Sequence, residues 1–289
     1  MPKITTYERT IKSQIEKKCL LEARHERRCG PNLCEPERQV LSIASRIIEI
    51  LTPKAAAASV AEVRIGLGYT AVRLTDGGTG IALTFLPREE HCCTLLDDLH
   101  PVAGRQAADL LARLSSADPI EAALGLACAN ALANRPGPDY QPGDVLEQIG
   151  IGPEDHVGMV GNFKPLAGPV RQMAASLTIF ERIATAQGEI RPAGEARQRL
   201  PGCQIALITG TAIINHTIDE ILVAARGCRE VVILGASTPL LPEAFEQTPV
   251  SRLSGILVED VDGILQAVSA GGGVRVFKHH VNKVNLRVR

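Results

Sequence analysis

Hydrophobic and polar positions follow two successive regimes along the chain. The first begins helically: Ile11, Ile15 and Cys19 recur every four residues within a charged stretch from 5 to 26, placing one apolar stripe on a helix. Arg28–Pro36 (RCGPNLCEP) breaks that period with two prolines and a glycine. A second helix is expected from about Glu37 to Leu51 on Val40, Leu41, Ala44, Ile47 and Ile48, with Pro53 as its stop. From Ala61 the pattern changes to strands, VRIGLGYTAVRL and GIALTF, around an Asp76-Gly77-Gly78 turn that suits a hairpin. Helices near Arg105–Leu114 and over DPIEAALGLACANALAN follow, the latter capped by Ser116 or Asp118 with Pro119 in its first turn. Together these elements predict a small α+β module whose helices cover the apolar face of the hairpin.

The stretch 134–143, NRPGPDYQPG, carries neither periodicity and reads as a connection. Beyond it, short apolar runs alternate with helical segments. His156–Val160, Ser176–Phe180, Ile205–Ile208, Val231–Leu234 and GILVED read as strands, and Val284, Leu286 and Val288 alternate in a last one. Between them lie GNFKPLAGPVRQMA, a helix on Ile218, Ile221, Leu222 and Ala225, and another over Val261–Val268. Asn215 or Thr217 can cap the second of these, and Thr217 with Glu220 has the spacing of a capping box. Strand–helix–strand units of this length require crossover connections, so the fold class is α/β with a mostly parallel sheet.

Composition narrows the class without naming a function. The chain of 289 residues is 45% hydrophobic and 22% charged with a formal net charge of −1, which describes a soluble globular protein of about two domains. Neither a basic run interleaved with aromatics nor an apolar stretch long enough to span a bilayer is present, so neither nucleic acid nor membrane is the expected partner. The N-terminal sequence lacks the apolar segment of a secretory signal, and the cytoplasm is the expected location. Eight cysteines in a chain this long favour free thiols or metal ligands over a disulfide scaffold.

Candidate chemistry concentrates in turns of the second half. They are Gly161, Asn162, Phe163, Lys164 and Pro165; Thr209, Gly210 and Thr211; Gly235, Ala236, Ser237, Thr238 and Pro239; and Gly271, Gly272 and Gly273. Turns following parallel strands present backbone N–H groups and short hydroxyls, which suit phosphate, carboxylate or another oxyanion. Ordinary turn geometry is the bland alternative. The string GMVGNF lacks the third glycine of a dinucleotide fingerprint, and no P-loop pattern occurs. Lys164 could neutralise an anion, or stand exposed. Asp260 could bind a hydroxyl, amine or metal, or simply cap the helix after it; Asn215 could donate or accept a ligand hydrogen bond, or serve as a cap. His216 could act as a base, or lie in a capping region. His25, Cys29 and Cys34 have donors suited to zinc but lack a second close pair, and His91, Cys92 and Cys93 are too close in sequence to converge easily on one ion. Cys128 and Cys203 read as small buried hydrophobes. His279 and His280, if on a strand, would point to opposite faces.

The strings VGNFKPL, ITGTAIINHTIDEIL, ILGASTPLLPEAF and GILVEDVDGILQAVSAGGG together resemble a prokaryotic family described as "putative heavy-metal chelation" proteins. The resemblance implies an enolase N-terminal-like α+β domain over 1–138 followed by a Rossmann-like domain over 139–289. By the same resemblance, Gly161, Phe163, Pro165, Thr209, Gly210, Thr211, Asn215, Thr217, Gly235, Ser237, Thr238, Pro239 and Asp260 match recurring cleft motifs. Ala212 and His216 depart from the family turn, which carries two adjacent threonines and later an asparagine–glycine pair.

Three functions follow as expectations. A cytoplasmic binding protein would use the interdomain cleft for a transition metal, a metal-bearing small molecule or a related cofactor; Asn, Ser and Thr loops favour the complex over a bare ion. An enzyme acting on a small anionic or metal-containing metabolite would use Lys164, His216 or Asp260 for proton transfer. An interaction protein would form a homodimer through apolar helices or edge strands.

Overall fold

The computed structural model describes residues 41–85 and 96–288. The expected helix over 5–26 and the clusters His25/Cys29/Cys34 and His91/Cys92/Cys93 lie outside them. Strands β1 (Val60–Ile65), β2 (Tyr69–Leu74) and β3 (Thr79–Leu83) form an antiparallel three-stranded sheet in sequence order. Helices α1 (Ile43–Ala57), α2 (Ala107–Leu111) and α3 (Pro119–Ala133) belong to the same module. Strands β4 (Gln141–Pro142), β5 (His156–Val160), β6 (Ser176–Glu181), β7 (Ile190–Pro192), β8 (Ile205–Thr209), β9 (Glu230–Leu234), β10 (Arg252–Val258) and β11 (Val281–Arg287) build the larger sheet. Around it lie α4 (Val145–Ile149), α5 (Lys164–Met173), α6 (Ala196–Arg199), α7 (Ile218–Ala224), α8 (Val261–Ser269) and α9 (Val274–Phe277).

Spatial order in the eight-stranded sheet is β4-β11-β10-β9-β8-β5-β6-β7. Strands β5 to β10 pair in parallel, whereas β11 is antiparallel to both β10 and β4. The chain leaves β5 toward β6 and β7, then returns to the other side of β5 for β8, β9 and β10. The order therefore reverses between β5 and β8, and the crevice beyond their carboxyl ends is the place where open α/β sheets take ligands.

Alternation along the parallel strands divides the core. Val160, Phe180, Ala206, Ile208, Val231 and Ile233 join one buried cluster, while their neighbours Met159, Ile179, Ile205, Leu207, Val232 and Leu234 join a second beneath α4 and α5. Both faces are thus covered, which explains why these strands read as continuous apolar runs.

Helix α3 is buried around nearly its whole circumference, because small residues let its neighbours approach closely. A Cβ on Gly80 would come within 2.2 Å of Ala131 N, and one on Gly125 within 2.2 Å of Leu114 N. One face of the small sheet meets α3; the other, through Tyr69, Ala71 and Ile81, packs on Ile264, Val268 and Phe277 of the larger module. The expected single apolar face is in fact two.

Three local expectations need correction. Pro53 does not stop α1, which continues to Ala57; the turn beyond it persists because Ala55 is fully buried and the Ala58 N–H closes onto the Ala55 carbonyl. Thr217 makes no capping box: its own backbone is helical, and its hydroxyl donates 2.7 Å to Asn215 Oδ1 instead of accepting from the helix. The 134–143 stretch is more than a connection. Asn134 is buried, its amide donates to the carbonyls of Thr238 (3.1 Å) and Ile256 (3.3 Å), and its Oδ1 accepts from Leu240 N (2.7 Å). Gln141 and Pro142 pair with β11.

Candidate site at the carboxyl ends of the parallel strands

Three of the four expected turns meet. The turn after β5 opens with Gly161 at φ 92° and the turn after β9 with Gly235 at φ 110°, a left-handed conformation that L side chains rarely adopt. A Cβ on Gly161 would lie 3.1 Å from Thr209 Cβ, and one on Gly235 3.5 Å from the Phe163 ring. A Cβ on Gly210 would lie 2.9 Å from both N and Oγ1 of Thr238. The turns after β5, β8 and β9 therefore fill their junction with one another's atoms, leaving Asn162, Lys164, Thr209 and Thr211 at a more accessible rim.

At that rim Thr209 Oγ1 and Thr211 Oγ1 lie 2.9 Å apart, and Thr211 N donates 3.3 Å to Thr209 Oγ1. Asn162 N donates 2.9 Å to Glu181 Oε2 at the end of β6, and Glu181 Oε1 accepts from Arg182 N at 2.8 Å. The Arg182 guanidinium stands 5.1 Å over the Phe85 ring, bringing the exit of β3 alongside. Lys164 is exposed at the start of α5.

Ser237 and Thr238 are buried. Ser237 Oγ accepts from Leu83 N at 2.9 Å, fastening β3 to the turn after β9. Thr238 Oγ1 is fully enclosed and has no hydrogen-bond partner among the described residues, although the Thr238 carbonyl accepts from Asn134. Pro239 is buried beside them.

The remaining expected residues lie apart from this junction. Asp260 stands at the same end of the sheet, but β10 is two strands from β8, roughly 10 Å at ordinary strand spacing. Its carboxylate accepts from Gly263 N (2.9 Å), as an N-cap of α8, and bonds His280 Nδ1 (2.7 Å). These bonds, the backbone one foremost, hold its pKa below the ordinary carboxylate range. The capping reading of Asp260 thus holds, with a histidine beside the cap. His279 and His280 precede β11 rather than lying in a strand. Gly271, Gly272 and Gly273 follow a helix, not a strand, and a Cβ on Gly271 would lie 3.6 Å from Leu67 in the β1–β2 turn.

Asn215 and Thr217 are exposed beside His216, whose φ of 55° occupies the left-handed region. His216 Nε2 lies 2.8 Å from the Ser116 carbonyl, so the ring links the turn after β8 to the small module. Cys128, Cys203 and Cys228 are buried thiols; desolvation pushes Cys128 up to about 12 and Cys228 up to about 11, keeping them protonated and unreactive. Concavities of about 530 Å³ and 250 Å³ lie away from the junction, the first beside Asp98, Arg113 and Glu121, the second beside Val63, Leu99 and Val102.

Sequence reasoning passed over Glu181, Arg182 and Asn134. For Glu181 a signal existed: it follows Gly161 by 20 positions across a strand–helix–strand unit.

The comparisons with known proteins agree with this architecture. Two family models, both described as "Putative heavy-metal chelation", match residues 48–133 and 144–287. The chain belongs to this family. An uncharacterized protein of Methanocaldococcus jannaschii is 24% identical over 254 residues, covering 85% of this chain and 96% of that protein. A crystal structure of a DUF364-family protein of unknown function from Pyrococcus horikoshii superposes with a TM-score of 0.75 at 24% identity, covering 85% of this chain and all of that one. Another from Desulfitobacterium hafniense gives 0.70 at 24% identity over 83% and 98% of the two chains. These likenesses establish the fold. Among the described residues no helix is long and apolar enough to cross a membrane.

The family description raises a metal as cargo, which the donor set can test. Around the junction the side-chain donors are threonine hydroxyls, an asparagine amide and one carboxylate. Among the described residues no three His, Cys, Asp or Glu side chains gather as a ligand set. Hard oxygen donors of this kind fit a soft heavy-metal ion poorly, and fit the hydroxyls and oxyanions of an organic molecule well.

Proposed function

We propose that this protein binds a small oxygen-rich metabolite, free or carrying a metal, at the crevice where the turns after β5 and β8 adjoin the small module. The observation that carries this reading is the contact among Gly161, Thr209, Gly210 and Thr238 at the reversal of strand order. Thr209, Thr211 and Asn162 supply neutral donors and acceptors, Glu181 an acceptor, and Lys164 a nearby cation. Handling of a metal then means recognition of the molecule that wraps it rather than direct ligation by the turns.

Calorimetry distinguishes these modes. Zn(II), Ni(II) and Cu(II) would be titrated as free ions and as citrate complexes into the full-length protein and its Thr211→Val variant. The reading expects the complexes to bind more tightly than the ions, with about tenfold loss in the variant, the range for one removed hydrogen bond in a desolvated site. Tight binding of the bare ions, unaffected by the substitution, would refute it.

A catalytic version now rests on Lys164 alone. His216 and Asp260 are engaged with Ser116 and with Gly263 and His280.

A further inference from the structure

We propose that Glu181 is the acceptor for the cis-diol of a nucleoside-class ligand. This assignment rests on the small-molecule reading above and narrows it. Glu181 ends the second strand of the β5–α5–β6 unit, directly beside the glycine that ends the first: Val160 pairs with Phe180, and Gly161 N donates 2.8 Å to the Phe180 carbonyl. In open α/β sheets a carboxylate at this place, about 20 residues after the first turn glycine, receives ribose hydroxyls.

Its geometry is set in advance. One oxygen is held by Asn162 N and the other by Arg182 N, so the carboxylate cannot swing away. Each oxygen retains a further acceptor position. Two acceptors a carboxylate's width apart match two hydroxyls on adjacent carbons. Arg182, spread over Phe85, places a planar cation beside them on which a base can stack.

The same loop argues against a dinucleotide. Pro165 contributes no N–H to the first turn of α5, Leu166 N and Ala167 N both close onto the Phe163 carbonyl, and Lys164 N closes onto Asn162 O. The Phe163 ring packs against the turns where a fingerprint glycine would leave room for pyrophosphate. The diol carboxylate is present without the amide cradle, which points to a nucleoside whose remaining substituent is not a phosphate seated on α5.

The test uses full-length protein and calorimetry with adenosine, guanosine, cytidine and uridine, each beside its 2′-deoxy form, and with NAD. At least one ribonucleoside is expected to bind, with its deoxy form weaker by about tenfold or more. Glu181→Gln should weaken the ribonucleoside by a similar factor and the deoxy form by less, because the deoxy form presents one hydroxyl to the carboxylate rather than two. NAD should bind no more tightly than adenosine. Melting temperatures of the variant establish that it is folded, and Glu181→Asp should recover part of the affinity. Equal affinity for ribo and deoxy forms, indifference to Glu181→Gln, or no binding by any ribonucleoside would overturn the assignment. If citrate complexes still bind and depend on Thr211 but not on Glu181, the crevice reading stands while the diol assignment falls. If neither class of probe depends on any rim residue, both fall.

Discussion

The two ends of the parallel sheet treat their acidic residues in opposite ways. At the amino end Asp155 is buried; it accepts from Gly152 N (2.7 Å) and takes both guanidinium nitrogens of Arg229 (2.7 and 2.9 Å), fastening the start of β5 to the start of β9. At the carboxyl end Glu181 is only half-buried and is held by two backbone N–H groups, with no cation bonded to it among the described residues. Burying a carboxylate and closing three of its acceptor positions against the protein makes a structural clamp. Fixing a carboxylate while leaving acceptor positions open makes a receptor.

Removing the clamp should have the largest effect. Asp155→Ala is expected to lower stability by about 2–3 kcal/mol, toward the low side for a buried pair because the Arg229 side chain is half-exposed. Chemical denaturation would measure it, and ligand affinity at the far end should be unchanged.

Replacing Asn134 should rank next. Asn134→Ala leaves Leu240 N buried without its acceptor and should cost about 1–3 kcal/mol. Unlike the clamp, this change disturbs the turn after β9, so any ligand affinity should fall with it.

Acid exposes the same contrast without mutation. The Arg229 guanidinium first, then Gly152 N, depress Asp155 to about 2, below its ordinary value of 3.8. Because the folded-state value is the lower, the stabilisation is complete above about pH 4 and is lost as pH falls from there toward 2. Thermal melts across that window should show a steeper decline for the wild type than for Asp155→Asn, which keeps only the contributions of the other depressed carboxylates such as Asp76 and Asp260.

The smallest effect belongs to the turn after β8. His216→Gly and His216→Ala both lose the ring contact with Ser116, but only alanine keeps a Cβ in the left-handed region. The glycine variant should be the more stable by about 0.5–1 kcal/mol. The opposite order would mean that the turn relaxes out of its present conformation.

Much of this fold was legible because buried parallel strands cannot avoid apolar runs. His156–Val160 and Ile205–Ile208 announce themselves, and the periods of Ile218–Ala225 and Val261–Val268 mark their helices. Strands of two or three residues were not legible, being too short to show an alternation: β4 and β7 are defined by their pairing with neighbouring strands, a property of the assembled sheet. The same distinction governs the site. Small polar turns after strands pointed to Gly161, Thr209 and Gly235, since glycine at positive φ leaves a local signature. Nothing local reveals the partners of Ser237, whose hydroxyl serves Leu83 across 154 positions, or of Asn134, which joins helix to turn across more than 100. Gly271–Gly273 show the converse error: glycine richness marks a helix exit as readily as a strand exit.

The central claim is that ligand chemistry sits at the carboxyl ends of β5, β6 and β8. Amide hydrogen exchange, compared with and without the tightest-binding nucleoside or citrate complex, tests it most directly. The account predicts slowed exchange in 161–164, 181–182 and 209–211, with the amino-end segment 150–155 unchanged. Protection confined to the concavity beside Asp98 and Arg113, or to the amino end, would contradict it.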